Sequence, residues 1–264
     1  MNTPSQDDPY VIRSDHEGVA TLTLNRASQF NALSQAMIAA LQGHLDAIAP
    51  DPAVRVLVIA GAGKAFCAGH DLKEMRANHH KAFMQDLFQR CGKMMMTLTQ
   101  MPQPVIARVH DIATAAGCQL VAMCDLAVAV DSARFATSGI NVGLFCATPG
   151  VGLSRNLGRK QALEMLLTGD FIDAQAALRQ GLVNRVVAGD ALDAEVDRLA
   201  RSILGKSSVA IGMGKQMFYK QLEMGLDAAY QYASEVMACN MMTDDAGEGI
   251  DAFIGKRKPQ WRGR

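Results

Sequence analysis

The stretch DIATAAGCQLVAMCD, residues 111–125, decides the fold of this chain. It follows the apolar run VIARV (105–109), which predicts a buried strand, and its small residues between 114 and 124 favour a closely packed helix. The next apolar run, LAVAV (126–130), again predicts a buried strand. Strand and helix alternate within a short length of chain, and this pattern is typical of a layered α/β core.

The same alternation continues on the N-terminal side of this stretch. Residues 19–26 alternate between apolar and polar, as in a half-buried strand, and residues 34–48 place apolar side chains at helical spacing. Residues 54–60 predict a further strand and residues 80–100 a further helix, whereas 132–153 are rich in glycine and predict loops. The C-terminal side is helical, with predicted helices at 160–167, 173–180, 190–204, 208–222 and 226–242 and a brief extended break at 183–187.

Composition and charge exclude several classes of protein. The 264 residues carry 26 basic and 26 acidic side chains, so no net charge attracts nucleic acid or an anionic membrane. No apolar run approaches the roughly 20 residues that a membrane-spanning helix needs. The start MNTPSQDDPY lacks the basic residues and the apolar run of a secretory signal, and we expect a cytoplasmic protein. The basic tail GKRKPQWRGR (255–264) is expected to be solvated.

The six cysteines form no CxxC pair, and most of them lie among apolar residues. This distribution favours buried thiols in a reducing compartment over a disulfide framework or a zinc site. We therefore expect no metal centre.

Two turns built from small residues carry the features that point to chemistry. In FCAGHDL (66–72) the small residues follow a strand, so the turn can leave the amide of His70 free for a ligand oxygen. In TAAGCQL (114–120) small residues open a helix, whose N-terminus carries unpaired amides and partial positive charge, and the amide of Ala116 is one of them. Two converging amides would form an oxyanion hole, which stabilises negative charge on a carbonyl oxygen. Small-residue turns after strands are also common packing devices, and the spacing alone leaves both interpretations open.

Seven segments, taken in order, resemble the crotonase (enoyl-CoA hydratase/isomerase) superfamily over residues 10–261. They are LNRASQFNALS (24–34), KAFCAGHDLKEM (64–75), PVIARVHDIATAAGCQLVAMCDLAVA (104–129), RFATSGINVGL (134–144), TPGVGLSRNLGRKQALEMLLTGD (148–170), AQAALRQGLVNRVV (174–187) and EGIDAFIGKRKPQW (248–261). The resemblance implies an α/β fold, a crotonase-like spiral of βαβ units with a helical C-terminal trimerisation region. We therefore expect a spiral core over 1–190 and an oligomerisation region over 191–264, in a homotrimer or a hexamer of two trimers.

The resemblance also implies a ligand and the groups that hold it. The oxyanion donors map onto the backbone amides of His70 and Ala116. The ligand is an acyl-CoA thioester, which is bound as substrate, and no separate cofactor is implied.

Further positions correspond to residues that bind the CoA part of the ligand. The turn that holds CoA maps onto Ala68, Asp71, Leu72 and Lys73. Positions that reach the CoA of a neighbouring subunit map onto Phe253 and Lys256. Both lysines are equally open to interpretation as ordinary surface residues.

The two acid/base positions of the superfamily lack their glutamates in this chain. Relatives that hydrate enoyl-CoA clamp a water between two glutamates, and these positions map onto Gln119 and Gly139. An amide can hold a water but cannot act as a base near pH 7, and glycine has no side chain. Because proton transfer by a positioned group contributes about 10²–10⁴ in rate, we expect slow hydration. The pattern is similar to the subgroup of enoyl-CoA hydratase domain-containing proteins that lacks both glutamates.

Two alternatives remain open from the sequence. One is a different acyl-CoA reaction, such as thioester hydrolysis, in which another group replaces the missing base. The other is a non-catalytic protein that binds acyl-CoA or serves as a scaffold for partners. The candidate replacement groups, each of which also has a structural interpretation, are the ring of His70, His110, Asp111, Asn141, Cys146 and Thr148.

Overall fold

The computed structural model describes residues 8–264, which form two β-sheets surrounded by helices. The strands are β1 (Val11–His16), β2 (Val19–Leu24), β3 (Val56–Gly61), β4 (Ala65–Cys67), β5 (Val105–Val109), β6 (Ile112–Thr114), β7 (Leu126–Val130), β8 (Arg134–Ala136), β9 (Ile172–Asp173) and β10 (Arg185–Val187). The helices are α1 (Gln35–Ile48), α2 (Leu72–Ala77), α3 (Lys81–Gln100), α4 (Ala116–Met123), α5 (Ala147–Asn156), α6 (Arg159–Thr168), α7 (Ala174–Gln180), α8 (Leu192–Leu204), α9 (Ser208–Gln221), α10 (Leu226–Met241) and α11 (Asp244–Ile254). None of the helices between residues 8 and 264 is long and apolar enough to cross a bilayer.

The two sheets are built by one repeated path of the chain. The larger sheet has the strand order β1-β2-β3-β5-β7-β10, and the smaller has the order β4-β6-β8-β9. Three times in succession the chain adds a strand to the larger sheet and then a short strand to the smaller one, as β3–β4, β5–β6 and β7–β8. All pairings between these strands are parallel, whereas β1–β2 and β8–β9 are antiparallel. This path is the α/β spiral expected from the sequence.

The core explains why the larger sheet is rigid enough to position a site. Along β2, Ala20, Leu22 and Leu24 are fully buried and alternate with half-buried residues. The helix α1 covers this face and begins at Ser34, whose hydroxyl accepts a hydrogen bond from the Met37 amide (3.2 Å). The inner strand β3 is buried from Val56 to Ala60, as in a parallel strand covered on both faces.

The segment 132–153 is more regular than the sequence predicts. The expectation of loops is wrong there, because β8, a 3-10 helix (Ser138–Val142) and the first half of α5 occupy it. Pro149 stands in the first turn of α5, where its missing N–H leaves no intrahelical bond unmade. A Cβ on Gly152 would lie 3.3 Å from the sulfur of Met123, so this glycine allows α5 to pack closely on α4. Glycine and proline therefore serve packing here rather than chain reversal.

The C-terminal helices are fastened to the spiral through a buried ion pair. Lys215 of α9 is 7% exposed, and its Nζ lies 2.7 Å from Oδ2 of Asp125. The same Nζ donates to the carbonyl oxygens of Leu98 and Gln103 at 2.7 Å each. Tyr219, one turn later on α9, donates its hydroxyl proton to the other oxygen of Asp125 (2.8 Å). Two side chains of α9 thus converge on one carboxylate of the core. The expected division into a spiral core (1–190) and an oligomerisation region (191–264) stays a prediction.

The residues of the basic tail are exposed as expected, apart from the half-buried Trp261, but the backbone of the tail is also docked on the protein. The buried carboxylate of Asp245 accepts hydrogen bonds from the amides of Arg262 (2.6 Å) and Gly263 (3.0 Å). The indole N–H of Trp261 donates to the carbonyl of Gly205 (2.8 Å). The tail runs beside the starts of α11 and α9, because its backbone amides donate to the buried carboxylate of Asp245. The number of basic side chains in the tail does not reveal this contact.

Candidate active site

The turns that follow β4 and β6 touch each other through their backbones. A Cβ on Gly69, whose φ is +90°, would lie 2.8 Å from the Cβ of Ala115 and 3.1 Å from the amide nitrogen of Ala116. A Cβ on Gly117 would lie 2.1 Å from the carbonyl oxygen of Cys67. Only glycine allows this approach at either position, so these two residues bring the two turns into contact.

The amides of His70 and Ala116 are both unpaired at this junction. Neither donates a hydrogen bond to another group within residues 8–264. Ala116 is the first residue of α4, and its amide therefore has no intrahelical acceptor and carries part of the positive end of the helix dipole. The preceding residue, Ala115, has φ 49°, a conformation that costs a non-glycine residue about 1–3 kcal/mol. Two unpaired amides on adjoining turns are free to donate to a ligand, and their role as an oxyanion hole stays a prediction.

The ring of His70 is turned into the protein. Its Nδ1 lies 3.1 Å from the carbonyl oxygen of Leu33, and its ring stacks edge to face with Phe88 at 5.3 Å. Burial lowers the pKa of His70, against a smaller opposite effect of the Leu33 carbonyl. A neutral ring held in this way fixes the backbone of the turn. The amide of His70 is free for a ligand, and on its ring Nε2 is buried without a hydrogen-bond partner among residues 8–264.

Gln119 lies one helical turn after Ala116. Residues three apart share a face of a helix, so the side chain of Gln119 lies on the same face of α4 as that of Ala116. It is 4% exposed, and its Oε1 is buried without a hydrogen-bond partner among residues 8–264. A buried acceptor of this kind is costly unless a ligand or a water completes it.

Gly139 is enclosed by its own loop. Its φ is not positive, but a Cβ there would lie 2.7 Å from Sγ of Cys146 and 2.7 Å from the carbonyl oxygen of Leu144. No real Cβ approaches other atoms so closely, and one of these atoms belongs to the backbone. The thiol of Cys146 therefore occupies the volume in which a side chain at residue 139 would begin.

The thiol of Cys146 is a neutral group in this position. Burial raises its pKa, and a hydrogen bond from the amide of Gly139 lowers it by less. Burial likewise raises the pKa of the nearby Cys118 to about 12, and Cys146 adds to that effect. Near pH 7 such thiols are protonated, so the packed interpretation of Cys146 fits the structure better than a nucleophilic one.

The residues expected to hold CoA form one capped turn. Asp71 caps α2, since its Oδ1 accepts hydrogen bonds from the amides of Lys73 (2.9 Å) and Glu74 (3.1 Å). The backbone N–H and the carbonyl oxygen of Ala68 both form hydrogen bonds within the protein. The side chains of Leu72 and Lys73 are exposed beside them. Asp71 and Ala68 thus shape the turn, and the other two are free to touch a ligand.

The two C-terminal candidates lie elsewhere on the surface. Phe253 is 86% exposed near the end of α11, and Lys256 follows that helix with φ 50°. The helix α11 packs on α9 and α10. Both side chains are available to a second subunit, and their part in binding CoA stays a prediction.

The remaining polar candidates have structural partners or lie in the open. Nε2 of His110 lies 3.0 Å from the carbonyl oxygen of Gly63, and Asp111 accepts a hydrogen bond from the adjacent amide of Ile112 (2.8 Å). Asn141 is exposed. Residues 8–264 contain no cluster of three or more histidine, cysteine or carboxylate side chains suited to a metal ion.

Comparison with known proteins identifies the family of this chain. The family described as enoyl-CoA hydratase/isomerase matches residues 14–264. The chain belongs to this family. It is 46% identical over 256 residues to enoyl-CoA hydratase domain-containing protein 3, mitochondrial, of Xenopus laevis, covering 97% of this chain and 87% of the relative.

Solved structures of the enoyl-CoA hydratase/isomerase family superpose closely on this one. An enoyl-CoA hydratase of Mycobacterium smegmatis is 57% identical with a TM-score of 0.95, over 96% of this chain and 99% of the other. Human enoyl-CoA hydratase domain-containing protein 3 is 45% identical with a TM-score of 0.93, over 96% and 100% of the two chains. These similarities confirm the crotonase fold.

The structure thus joins some of the residues that the sequence marked and adds others to them. The turns that carry His70 and Ala116 are in contact, and Gln119 follows Ala116 by one helical turn. The contact between Gly139 and Cys146 was missed, because the six residues between them give no local signal of it.

Proposed function

We propose that this member of the enoyl-CoA hydratase/isomerase family binds an acyl-CoA thioester between the turn after β4 and the start of α4. The thioester carbonyl oxygen accepts hydrogen bonds from the amides of His70 and Ala116. The observation that carries the proposal is that these two amides are unpaired on backbones in direct contact. Lys73 and Leu72 are exposed beside the junction and supply contacts to CoA.

The same site supports binding more than rapid hydration. Hydration requires one group that removes a proton from water and one that delivers a proton to carbon. Gln119 is an amide, and the place of a side chain at Gly139 is taken by the neutral thiol of Cys146. The ring of His70 donates from Nδ1 to the carbonyl of Leu33, and burial lowers its pKa, so its unpaired Nε2 is a weak base. We infer a slow hydratase or a non-catalytic acyl-CoA-binding protein, rather than a thioesterase that uses one of these groups.

Calorimetric titration with butyryl-CoA and with free CoA tests the binding. Gly69→Ala is the informative variant, since its Cβ would meet the amide nitrogen of Ala116 at 3.1 Å and strain a residue with φ +90°. Loss of one hydrogen bond to the thioester should weaken butyryl-CoA binding by about tenfold. Gly43→Ala is the matched control, because Gly43 lies in open space on α1. If butyryl-CoA gives no binding signal, the proposal fails.

We also propose that the chain assembles into homotrimers or hexamers. Two segments expose large apolar side chains that a soluble surface rarely leaves uncovered. They are Val142, Leu144, Phe145, Val151, Leu163, Leu167 and Phe171 in the first segment and Phe218, Leu222, Leu226, Tyr230, Met237, Met241, Met242, Ile250, Phe253 and Ile254 in the second. Light scattering at micromolar concentration should give a multiple of three chains, and a monomer would contradict the proposal.

The cytoplasmic location stays a prediction. The relatives of Xenopus laevis and other vertebrates carry the word mitochondrial in their names. Fractionation of the source cells would decide the matter.

A further inference from the structure

A cleft separate from the thioester site lies between the larger sheet and α8. Its volume is about 370 Å³, which is within the range of small-molecule sites. Its floor is the sheet face that carries Thr21 and Thr23, which alternate along β2 with the residues buried under α1. The lining of the cleft shares no residue with the thioester site or with the two apolar segments assigned to assembly. A ligand in this cleft is therefore independent of both.

The floor of the cleft has one polar row that crosses three strands. Thr23 pairs with Ala60 across β2 and β3. On β5, Arg108 lies beside Ala60, since the residues before them are paired. Adjacent strands are about 4.8 Å apart, so the backbones of Thr23 and Arg108 are about 10 Å apart. Only the methyl group of Ala60 stands between them, which leaves room for a ligand between a hydroxyl and a guanidinium.

The guanidinium of Arg108 presents unused donors to the cleft. Its Nε donates to Oδ1 of Asp193, near the start of α8, at 2.5 Å. This hydrogen bond lowers the pKa of Asp193, so the carboxylate is ionised at neutral pH. Neither Nη atom of Arg108 donates to a group within residues 8–264, although the side chain is only 24% exposed. Two free Nη groups can hold a carboxylate by a pair of parallel hydrogen bonds.

The other charges of the cleft decide what kind of carboxylate fits. Arg201 pairs with Asp197 (2.7 Å) and with Glu17 (3.4 Å). Together with Asp193 and Arg108, these groups give the described lining three carboxylates and two guanidinium groups. A simple anion would be repelled by the excess of carboxylates, and a simple cation would leave the donors of Arg108 unused. A zwitterion adds no net charge, and Arg108 and Asp193 offer its two ends one ionic partner each.

Apolar side chains complete the cleft and indicate the rest of the ligand. Val58 contributes from the sheet, and Val196 and Leu204 contribute from α8. A short aliphatic chain placed against them is removed from water, which favours binding. We propose that this cleft binds an α-amino acid with an aliphatic side chain, whose carboxylate lies on Arg108 and whose ammonium group lies on Asp193.

Ligand-observed nuclear magnetic resonance with L-leucine at millimolar concentration tests the proposal on the full chain. Two analogues dissect the head group, since 4-methylpentanoate lacks the ammonium group of leucine and 3-methylbutylamine lacks its carboxylate. Each analogue should bind at least about tenfold more weakly than leucine, because each loses a charge-assisted contact. Saturating butyryl-CoA should leave leucine binding unchanged, because the two sites share no residue.

A pair of variants locates the binding. Arg108→Met should weaken leucine binding at least about tenfold. Arg198→Met is the matched control, because Arg198 also pairs with a carboxylate on α8 but lies outside the cleft. The side chain of Asp193 is 78% exposed, so the loss of Arg108 leaves no buried charge and the fold should be kept.

Several results would overturn the proposal. They are the absence of any leucine signal, equal binding of leucine and 4-methylpentanoate or 3-methylbutylamine, full binding by Arg108→Met, and displacement of leucine by butyryl-CoA. The comparison of leucine with its analogues uses the unmodified protein, so it does not depend on the folding of a variant. A protein that binds leucine but not butyryl-CoA would refute the thioester site alone.

Discussion

Replacement of Lys215 by methionine should cost the protein a large part of its stability. The ammonium group donates to two backbone carbonyls and pairs with Asp125, all at 2.7 Å, in surroundings that leave the side chain 7% exposed. Methionine preserves much of the volume but leaves Asp125 with the hydroxyl of Tyr219 and the amide of Val105 (2.6 Å) as its remaining donors. Removing one partner of a buried pair costs about 3–5 kcal/mol. At about 2–4 °C per kcal/mol for a chain of this size, Tm should fall by roughly 6–20 °C.

Urea unfolding followed by circular dichroism measures this loss, with Gln216→Met as the control on the exposed side of the same helix. The double variant Asp125→Asn, Lys215→Met should lose less than the sum of the single variants, because neither charge is then buried alone. A Lys215→Met protein that is destabilised by less than about 1 kcal/mol would show that the ion pair is not what holds α9 on the core.

Three further outcomes are expected. Adding Gly139→Glu to Gln119→Glu should give no gain in the rate of crotonyl-CoA hydration, because Cβ contacts of 2.7 Å exclude the new side chain. The loss of enoyl thioester absorbance measures this rate. Rapid hydration by the double variant would refute the prediction. Burial acts to raise the pKa of Asp245, but hydrogen bonds from two tail amides and a serine lower it below 3.8. The ionised carboxylate therefore contributes fully to tail docking above pH 3.8. This contribution is lost as the pH falls through the lowered pKa. The emission of Trp261, the single tryptophan, should therefore shift to the red only below pH 3.8, whereas Asp245→Asn should show the shift at neutral pH. A chromogenic disulfide reagent should titrate Cys239 quickly and the five buried thiols only after denaturation; a second fast thiol would contradict the burial.

The longer elements could be predicted because side-chain periodicity carries their signal. The bounds of β5 and β7 agree with the apolar runs 105–109 and 126–130, since strands covered on both faces are apolar throughout. The bounds of the five helices α6 to α10 agree within one or two residues at each end, whereas α11 (Asp244–Ile254) was not predicted. By contrast, β4, β6 and β8 have three residues each, which is too short to show a period.

The candidate site, like the fold, could be predicted from the sequence only in part. The convergence of the two turns could be inferred at the level of a hypothesis, because Gly69 and the small residues before Gln119 follow predicted strands. The positive φ at Ala115 could not, since alanine gives no sign of a left-handed conformation. Nor could the enclosure of Gly139, because the obstacle to a side chain there comes from Cys146 and Leu144 through space.

The enclosure of Gly139 has a consequence for the history of the protein. A glutamate can disappear from such a position in one mutational step, but once a sulfur and a carbonyl oxygen have settled within 2.7 Å of the vacant Cβ, one step no longer restores it. Regaining the acid requires a smaller residue at Cys146 and a displaced backbone at Leu144, neither of which offers an advantage before the acid is present. The loss of a glutamate at such a position is therefore easier to make than to reverse.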